Sequence, residues 1–346
     1  MPQCGMLFQL LKGLFSPSGL VTNDLRHIAP DSTAFAGEDD GGSAEGVPSP
    51  ARRSVYSMLL NHSGRIVFDT VIFRGSNADE FYLECDAEQA GRLIKHLKLY
   101  RVRKKVEIAA MERTRTAVVF NSWAEDDAAT PIAQLEGPGS VFCGKREDNA
   151  AAAASDLEID LCTAYSADPR VLALGHRILA SEVEMPSVCE AVGATVSDDL
   201  AAFGHLRHRL GVCEGPSEIP PGKCFPLEYN ADYMHGVSFH KGCYVGQELT
   251  ARTHHTGIVR KRIMPVRLLD STAVEANPES DVVNQEGKKV GRIRAWSGNS
   301  GLGLMRVSES LNAEHLLLDS ARIVVNKPFW WPKEASKKNA KIKDEE

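Results

Sequence analysis

The sequence predicts an α+β protein that closes with a small β-barrel. Three observations support this. β-rich runs are joined by tight turns near residues 54–85, amphipathic helical patterns interrupt the strands, and short strands separated by glycine turns replace both after Ile263. "SVYSMLL" and "RIVFDTVIF" flank the four-residue turn "NHSG" and read as a hairpin, and "EFYLEC" supplies a third strand. From Asp86 a helix keeps Ala90, Leu93, Ile94 and Leu97 on one face, with Asp86 and Gln89 spaced as a capping box. "RVRKKVEI" alternates as a strand, with Val102, Val106 and Ile108 on one face.

Further along, the alanine run in "REDNAAAAASDLEIDL" favours helix. "SDDLAAFGHLRHRL" reads as a capped helix with Leu200, Phe203, Leu206 and Leu210 inward, ended by the Gly- and Pro-rich "GVCEGPSEIPPGKC". "KKVGRIRAW" and "GLGLMRV", with the turn-like "GNSGLG" between and within them, belong to the barrel. Residues 34–53 are rich in Gly, Ser, Pro and acids and read as a flexible loop; residues 333–346 read as a disordered charged tail.

Composition bounds the function. The 346 residues are 43% hydrophobic and 25% charged, enough for two or three domains with cores of their own. A net charge of −6 offers no global attraction to nucleic acid or membrane surface, and no apolar run reaches spanning length, so neither is expected as a partner. The eight cysteines form no C-x-x-C pair, which argues against a structural zinc site or a thioredoxin-like couple. No secretory signal is evident, so reduced thiols in the cytosol or mitochondrial matrix are expected. The opening "MLFQLLKGLF" fits either an organelle transit peptide or a frayed or buried terminus.

A few residues stand out chemically. Asp69 alternates with Val67, Val71 and Phe73 on a strand, where a carboxylate is costly unless something bonds to it. A buried structural acid, a strand-edge residue and a ligand-facing acid all remain open. Glu228 in "FPLEYN", followed by Asn230, carries the same ambiguity. Cys243 is flanked by Gly242 and Gly246, which allow a tight bend, and by Lys241 and further bases, which favour thiolate. His240, His254 and His255 lie nearby but spell out no triad. The bases from Arg252 to Arg262 are either a solvated face or an anion-binding site beside the cysteine loop.

The Lys241–Arg252 stretch "KGCYVGQELTAR" strongly resembles the signature K-G-C-[YF]-x-G-Q-E-x-x-x-R. That signature marks the YgfZ branch of the folate-binding family related to the glycine-cleavage T-protein. "GLVTNDL", "GRIVFDTVIF", "FYLECD", "KHLKLYRVRKKV" and "FPLEYN" resemble the mitochondrial iron–sulfur assembly members of that branch in order, over about residues 19–110 and 200–332. The resemblance implies three domains in a ring around a tetrahydrofolate-sized channel. It divides the chain into a poorly matched leader (1–18), a first α+β folate-fold domain (19–110), a second (111–215), a signature segment returning to the core (216–262) and the barrel (263–332). It places Asp69 at the T-protein's catalytic aspartate and Glu228, with Asn230, at the folate site.

The same resemblance makes Cys243 the functional cysteine, a ligand of a shared [2Fe–2S] or [4Fe–4S] cluster. It makes Lys241, Gly242, Tyr244, Gly246, Gln247, Glu248 and Arg252 the loop that presents it. It implies a non-catalytic factor of the mitochondrial matrix that matures [4Fe–4S] proteins. The implied partners are an A-type iron–sulfur carrier and client enzymes of the aconitase and lipoate-synthesising types. A cluster normally takes about four ligands, so one cysteine requires a partner to supply the rest. The alternatives are a folate-dependent aminomethyl transferase and a plain folate-binding module.

Overall fold

The computed structural model describes residues 6–11, 54–75, 80–103, 105–111, 113–120, 163–192, 194, 197, 200–269 and 276–332. The expected loop at 34–53, the alanine-rich helix and the charged tail lie outside the described residues.

The first sheet contains β1 (Met6–Leu11), β2 (Ser54–Leu60), β3 (Ile66–Arg74) and β4 (Glu80–Cys85). After α1 (Ala90–Arg101), β5 (Ile108–Ala110) completes it, in the order β2-β3-β4-β1-β5. The leader assigned to residues 1–18 therefore contains a working strand. Met6–Leu11 pairs antiparallel with both β4 and β5, because an apolar six-residue run in that slot bonds on both edges.

The hairpin forms as expected, with one difference. Register shifts between Leu59, opposite Phe68, and Leu60, opposite Ile66, so Val67 is an extra residue on β3. The bulge sends Val67 to the α1 side of the sheet with Phe68 and Ile72, and leaves Asp69 on the other face with Val71 and Phe73. Strict alternation had grouped Val67 with Asp69.

Helix α1 buries Ala90, Leu93 and Leu97 against that outer face. Asp86 caps the turn before it by accepting the Glu88 N–H at 2.9 Å, so the cap forms on a short 3-10 turn rather than as a reciprocal box with Gln89. The helix runs through Arg101, with Lys98 and Arg101 in its last turn where cations favour the helix dipole. The strand expected over "RVRKKVEI" is correspondingly reduced to Ile108–Ala110.

The second sheet has β6 (Thr114–Val119), β7 (Ala164–Ala167) and β8 (His176–Ser181) in the order β6-β8-β7, covered by α2 (Met185–Ala191). Helix α3 (Leu200–Leu210) follows, then the short α4 (Gly215–Glu218) and α5 (Gln247–Thr256). In α3, Leu206 and Leu210 are buried and Phe203 packs beside them, but Leu200 is exposed at the helix start, beyond the reach of the core.

The barrel is closed by β9 (Lys261–Leu268), β10 (Asp281–Asn284), β11 (Lys289–Ser297) and β12 (Ser300–Arg306), then, after α6 (Val307–Asn312), β13 (Leu316–Leu318) and β14 (Ala321–Val325). Its order, β10-β11-β12-β9-β14-β13, leaves no free edge. Met264, Val282, Val290, Ile293, Met305 and Leu318 fill it.

Beyond β14 the chain returns to the middle of the molecule. The Trp330 indole N–H donates to the Leu210 carbonyl at 2.8 Å, and Trp331 packs against Tyr233 with ring centres 5.5 Å apart. Arg262 lies between Tyr233, 3.8 Å from its ring centre, and Trp331, and forms a two-bond pair with Asp232 at 2.8 Å. The basic run thus divides: Arg260 and Lys261 are exposed, whereas Arg262 is buried and structural.

Candidate functional site

Two polar regions meet the sequence-predicted residues: a buried charge network at the junction of the two sheets with α3 and α4, and the exposed loop that carries Cys243.

The network is built on Arg177, set among apolar residues of β8. Its guanidinium bonds to Glu84 on β4, to Asp168 at 2.8 Å and to Glu214 at 2.7 Å. Arg170 grips Asp168 through two bonds, at 3.0 and 2.8 Å, and reaches Glu214 at 2.7 Å. Beside them Glu218 is held by Arg207 at 2.6 and 3.1 Å and by His208 at 3.2 Å, and accepts the Glu214 backbone N–H. One network therefore ties the first sheet, the second sheet and the segment after α3.

Its charges divide into two groups. Burial alone would raise Asp168, Glu214 and Glu218, yet the arginines beside each hold all of them below the usual carboxylate range. Those carboxylates match Arg170, Arg177 and Arg207 one for one. Asp69 and Glu84 are the surplus. Burial raises Glu84 to about 7 even against Arg177, with Glu214 adding to the rise. Burial raises Asp69 to about 6, opposed by the Gly215 N–H that its Oδ2 accepts at 3.1 Å, while Glu214 pushes it further up. Tyr56, under the Arg170 guanidinium at 5.6 Å, is likewise raised by burial and then by Asp69.

Glu228 sits apart from these charges. It is half-buried, and burial raises it against the pull of Lys261, Arg294 and Arg65. Asp69 and Glu228 border the same apolar cluster, which holds Met58, Val71, Phe73, Cys213, Cys224 and Tyr229, but their charged neighbours differ. Asn230 is fully buried with its amide engaged: Nδ2 donates to the Ile263 carbonyl at 2.9 Å, and Oδ1 accepts from Arg262 at 3.3 Å. It fastens the start of the barrel.

The Cys243 loop is arranged by its neighbour. Tyr244 is buried in the central cluster, so the adjoining Cys243 is turned outward and exposed. Gln247 Oε1 accepts the Tyr244 N–H at 3.1 Å, fixing the loop to the first turn of α5, and the Lys241 ammonium lies 5.6 Å from the Tyr244 ring. Gly242, Glu248 and Arg252 are exposed around the thiol, and Gly246 precedes α5 in the left-handed conformation. His254 stacks on Phe239 with ring centres 3.5 Å apart, and His255 meets both edge-on. Among the described residues no three His, Cys, Asp or Glu side chains are grouped to hold a metal ion, and no helix is long and apolar enough to cross a membrane.

Sequence reasoning singled out Asp69 but missed its surroundings. Glu84 shares a strand face with Glu80 and Tyr82 on a strand buried along its length, a signal like the one that marked Asp69. Arg177 interrupts the apolar "HRILA", and Asp168 and Arg170 flank a proline in "ADPR". A buried cation in one strand and buried acids in others had to meet; which ones meet is tertiary information.

The fold is that of the glycine-cleavage T-protein. The glycine cleavage system aminomethyltransferase T from Bartonella henselae superposes with a TM-score of 0.62 over 94% of this chain and 84% of that one, at 15% identity. Residues 260–333 match the family model described as CAF17, C-terminal beta-barrel domain. The human protein named iron-sulfur cluster assembly factor IBA57, mitochondrial, is 35% identical over 321 residues, covering 91% of this chain and 79% of the human one. Its mouse counterpart is 32% identical over 325 residues, with the same coverages. The chain belongs to the IBA57 family of mitochondrial iron–sulfur cluster assembly factors.

Proposed function

We propose that this protein is an iron–sulfur cluster assembly factor of the mitochondrial matrix that matures [4Fe–4S] proteins, acting through Cys243. The observation that carries the reading is the exposed Cys243, turned out by the burial of Tyr244 within the Lys241–Arg252 signature. The cluster is cargo. One thiolate supplies one of about four ligands, so an A-type iron–sulfur carrier supplies the others, and aconitase-type and lipoate-synthesising enzymes receive the product. Exposed Arg252, Arg260 and Lys261 on and after α5 are cations suited to an acidic carrier or a thiolate-ligated cluster.

Tetrahydrofolate fits the residues in part. Its pterin edge offers N–H donors, and Glu228 is a half-buried carboxylate that burial leaves poorly solvated, an acceptor of the right kind. Asp69 is a second carboxylate on the same apolar cluster, whereas the amide of Asn230 is already engaged. Bound there, the folate would supply a one-carbon carrier. In this reading the protein performs no catalysis, and Asp69 and Glu228 would only bind and orient the pterin.

The test is anaerobic reconstitution with an A-type carrier, iron and sulfide. Wild type should give a coloured heterocomplex and activate an aconitase-type client, and Cys243→Ser should weaken both. Full client activation by Cys243→Ser, together with aminomethyl turnover on a lipoyl carrier, would replace this reading with a transferase.

A further inference from the structure

The turn between β2 and β3 lies far from Cys243 in sequence yet forms the floor of its loop. Asn61 organises that turn: its Oδ1 accepts the Ser63 N–H at 3.0 Å, the Ser63 hydroxyl at 2.8 Å and the Arg65 N–H at 3.0 Å, while its carbonyl accepts the Gly64 N–H at 3.0 Å. Gly64 and Gly246 both hold positive φ, at 73° and 74°, and face each other across the contact. A Cβ on Gly246 would lie 2.3 Å from the Asn61 carbonyl oxygen and 2.9 Å from the Gly64 Cα; one on Gly64 would lie 2.9 Å from the Gly246 oxygen. Backbone therefore meets backbone with no room for a side chain on either partner.

The floor is itself braced. Arg65 donates to the Lys223 carbonyl at 2.8 Å, and Ile66 donates its N–H to the Cys224 carbonyl at 2.9 Å and accepts the Gly222 N–H at 2.6 Å. Above it, the loop is held on one side by Tyr244, buried in the central cluster, and on the other by the Gly64–Gly246 contact. Gly246 stands at the start of α5 with no side-chain cap, and Tyr244 and Gln247 bond to each other rather than to the rest of the chain.

We infer that Asn61 and Gly64 are positioning residues for the Cys243 thiol: the turn they form sets where the loop stands and how far the sulfur is presented. This deepens the proposed role of Cys243 and rests on it for its functional meaning, but the geometric statement stands alone. The turn acts through Gly246, one residue before α5 and three after the thiol, so a change of turn shape is transmitted to the loop by direct contact.

The test measures the rate at which iodoacetamide alkylates Cys243 in the folded full-length chain, read by mass spectrometry, beside formation of the coloured heterocomplex with an A-type carrier. Asn61→Ala and Gly64→Ala should change the alkylation rate by about three- to tenfold. Asn61→Asp, which keeps an oxygen for the turn's donors, should restore it. Thr70→Val, which removes the Thr70 hydroxyl bond to the Ser57 carbonyl in the same hairpin, serves as a control for destabilisation alone and should leave the rate unchanged. Unchanged alkylation in both turn variants, or equal changes in Thr70→Val, would overturn the inference. An altered alkylation rate with heterocomplex formation indifferent to Cys243→Ser would keep the positioning role and sink the assembly reading.

Discussion

Replacing Asp69 with Asn should stabilise the protein above pH 6 and leave it unchanged at low pH. Asp69 is buried, accepts one backbone N–H and has no arginine to itself, and burial lifts it from 3.8 to about 6. A carboxyl raised on folding holds its proton in the native state after the unfolded chain has released it. That contribution to stability is complete below pH 3.8 and is lost as pH climbs through about 6. At about 1.4 kcal/mol per pH decade, the loss amounts to about 3 kcal/mol. Asn is neutral throughout and keeps an oxygen for the Gly215 N–H, so it imitates the protonated acid at every pH. Urea denaturation from pH 3.5 to 8 should give coincident midpoints for the two proteins at the acid end. The Asn variant should then gain about 3 kcal/mol by pH 7. Parallel stability curves across that range, or a variant less stable at pH 8, would refute the assignment of Asp69 as a surplus buried charge.

Arg177→Met should cost about 3–5 kcal/mol by denaturant titration at neutral pH, because it takes the arginine from Glu84 and leaves Arg170 alone to hold both Asp168 and Glu214. Arg262→Lys should cost about 2 kcal/mol, since an ammonium keeps the charge but neither the paired bonds to Asp232 nor the stack on Tyr233; urea titration reads the loss. Iodoacetamide applied briefly to the native protein should label Cys243 ahead of Cys85, Cys189, Cys213 and Cys224, which are buried, and peptide mass spectrometry would show the order.

Much of this was legible in residue patterns. The hairpin, the strand "EFYLEC", the helix after Asp86 and the barrel follow from periodicity and turn chemistry, which are local. The failures were also local readings carried too far. Alternation cannot foresee the bulge at Val67, and in "RVRKKVEI" the helix ends at Arg101, Val102 is exposed in the turn after it and the strand begins only at Ile108. The opening run fitted a transit peptide or a buried terminus alike, because nothing in "MLFQLL" tells which strands will accept it on both sides. At the candidate site, Cys243 and its loop were read from one contiguous signature. The charge network draws its members from β4, β8 and the segments around Asp168, Glu214 and Glu218, and no single stretch displays it. Arg262 shows the converse: its sequence context, three bases in a row, pointed to a solvated face or an anion site, and Asp232, Tyr233 and Trp331 drew it inside.

The return of Trp330 to Leu210 has a consequence for how the chain is made. The two residues are 120 positions apart, which at roughly 5–20 residues/s is about 6–24 s of synthesis. Throughout that interval the Leu210 carbonyl lacks the indole donor that satisfies it in the finished molecule. Arg262 and Tyr233 meanwhile wait with one aromatic wall missing. The nascent protein thus lacks this seal at its middle until Trp330 emerges. A premature stop a few codons before Phe329 would release a chain whose barrel strands are all present but whose seam is unsealed. Quality-control proteases would meet that species as the natural failure of this topology.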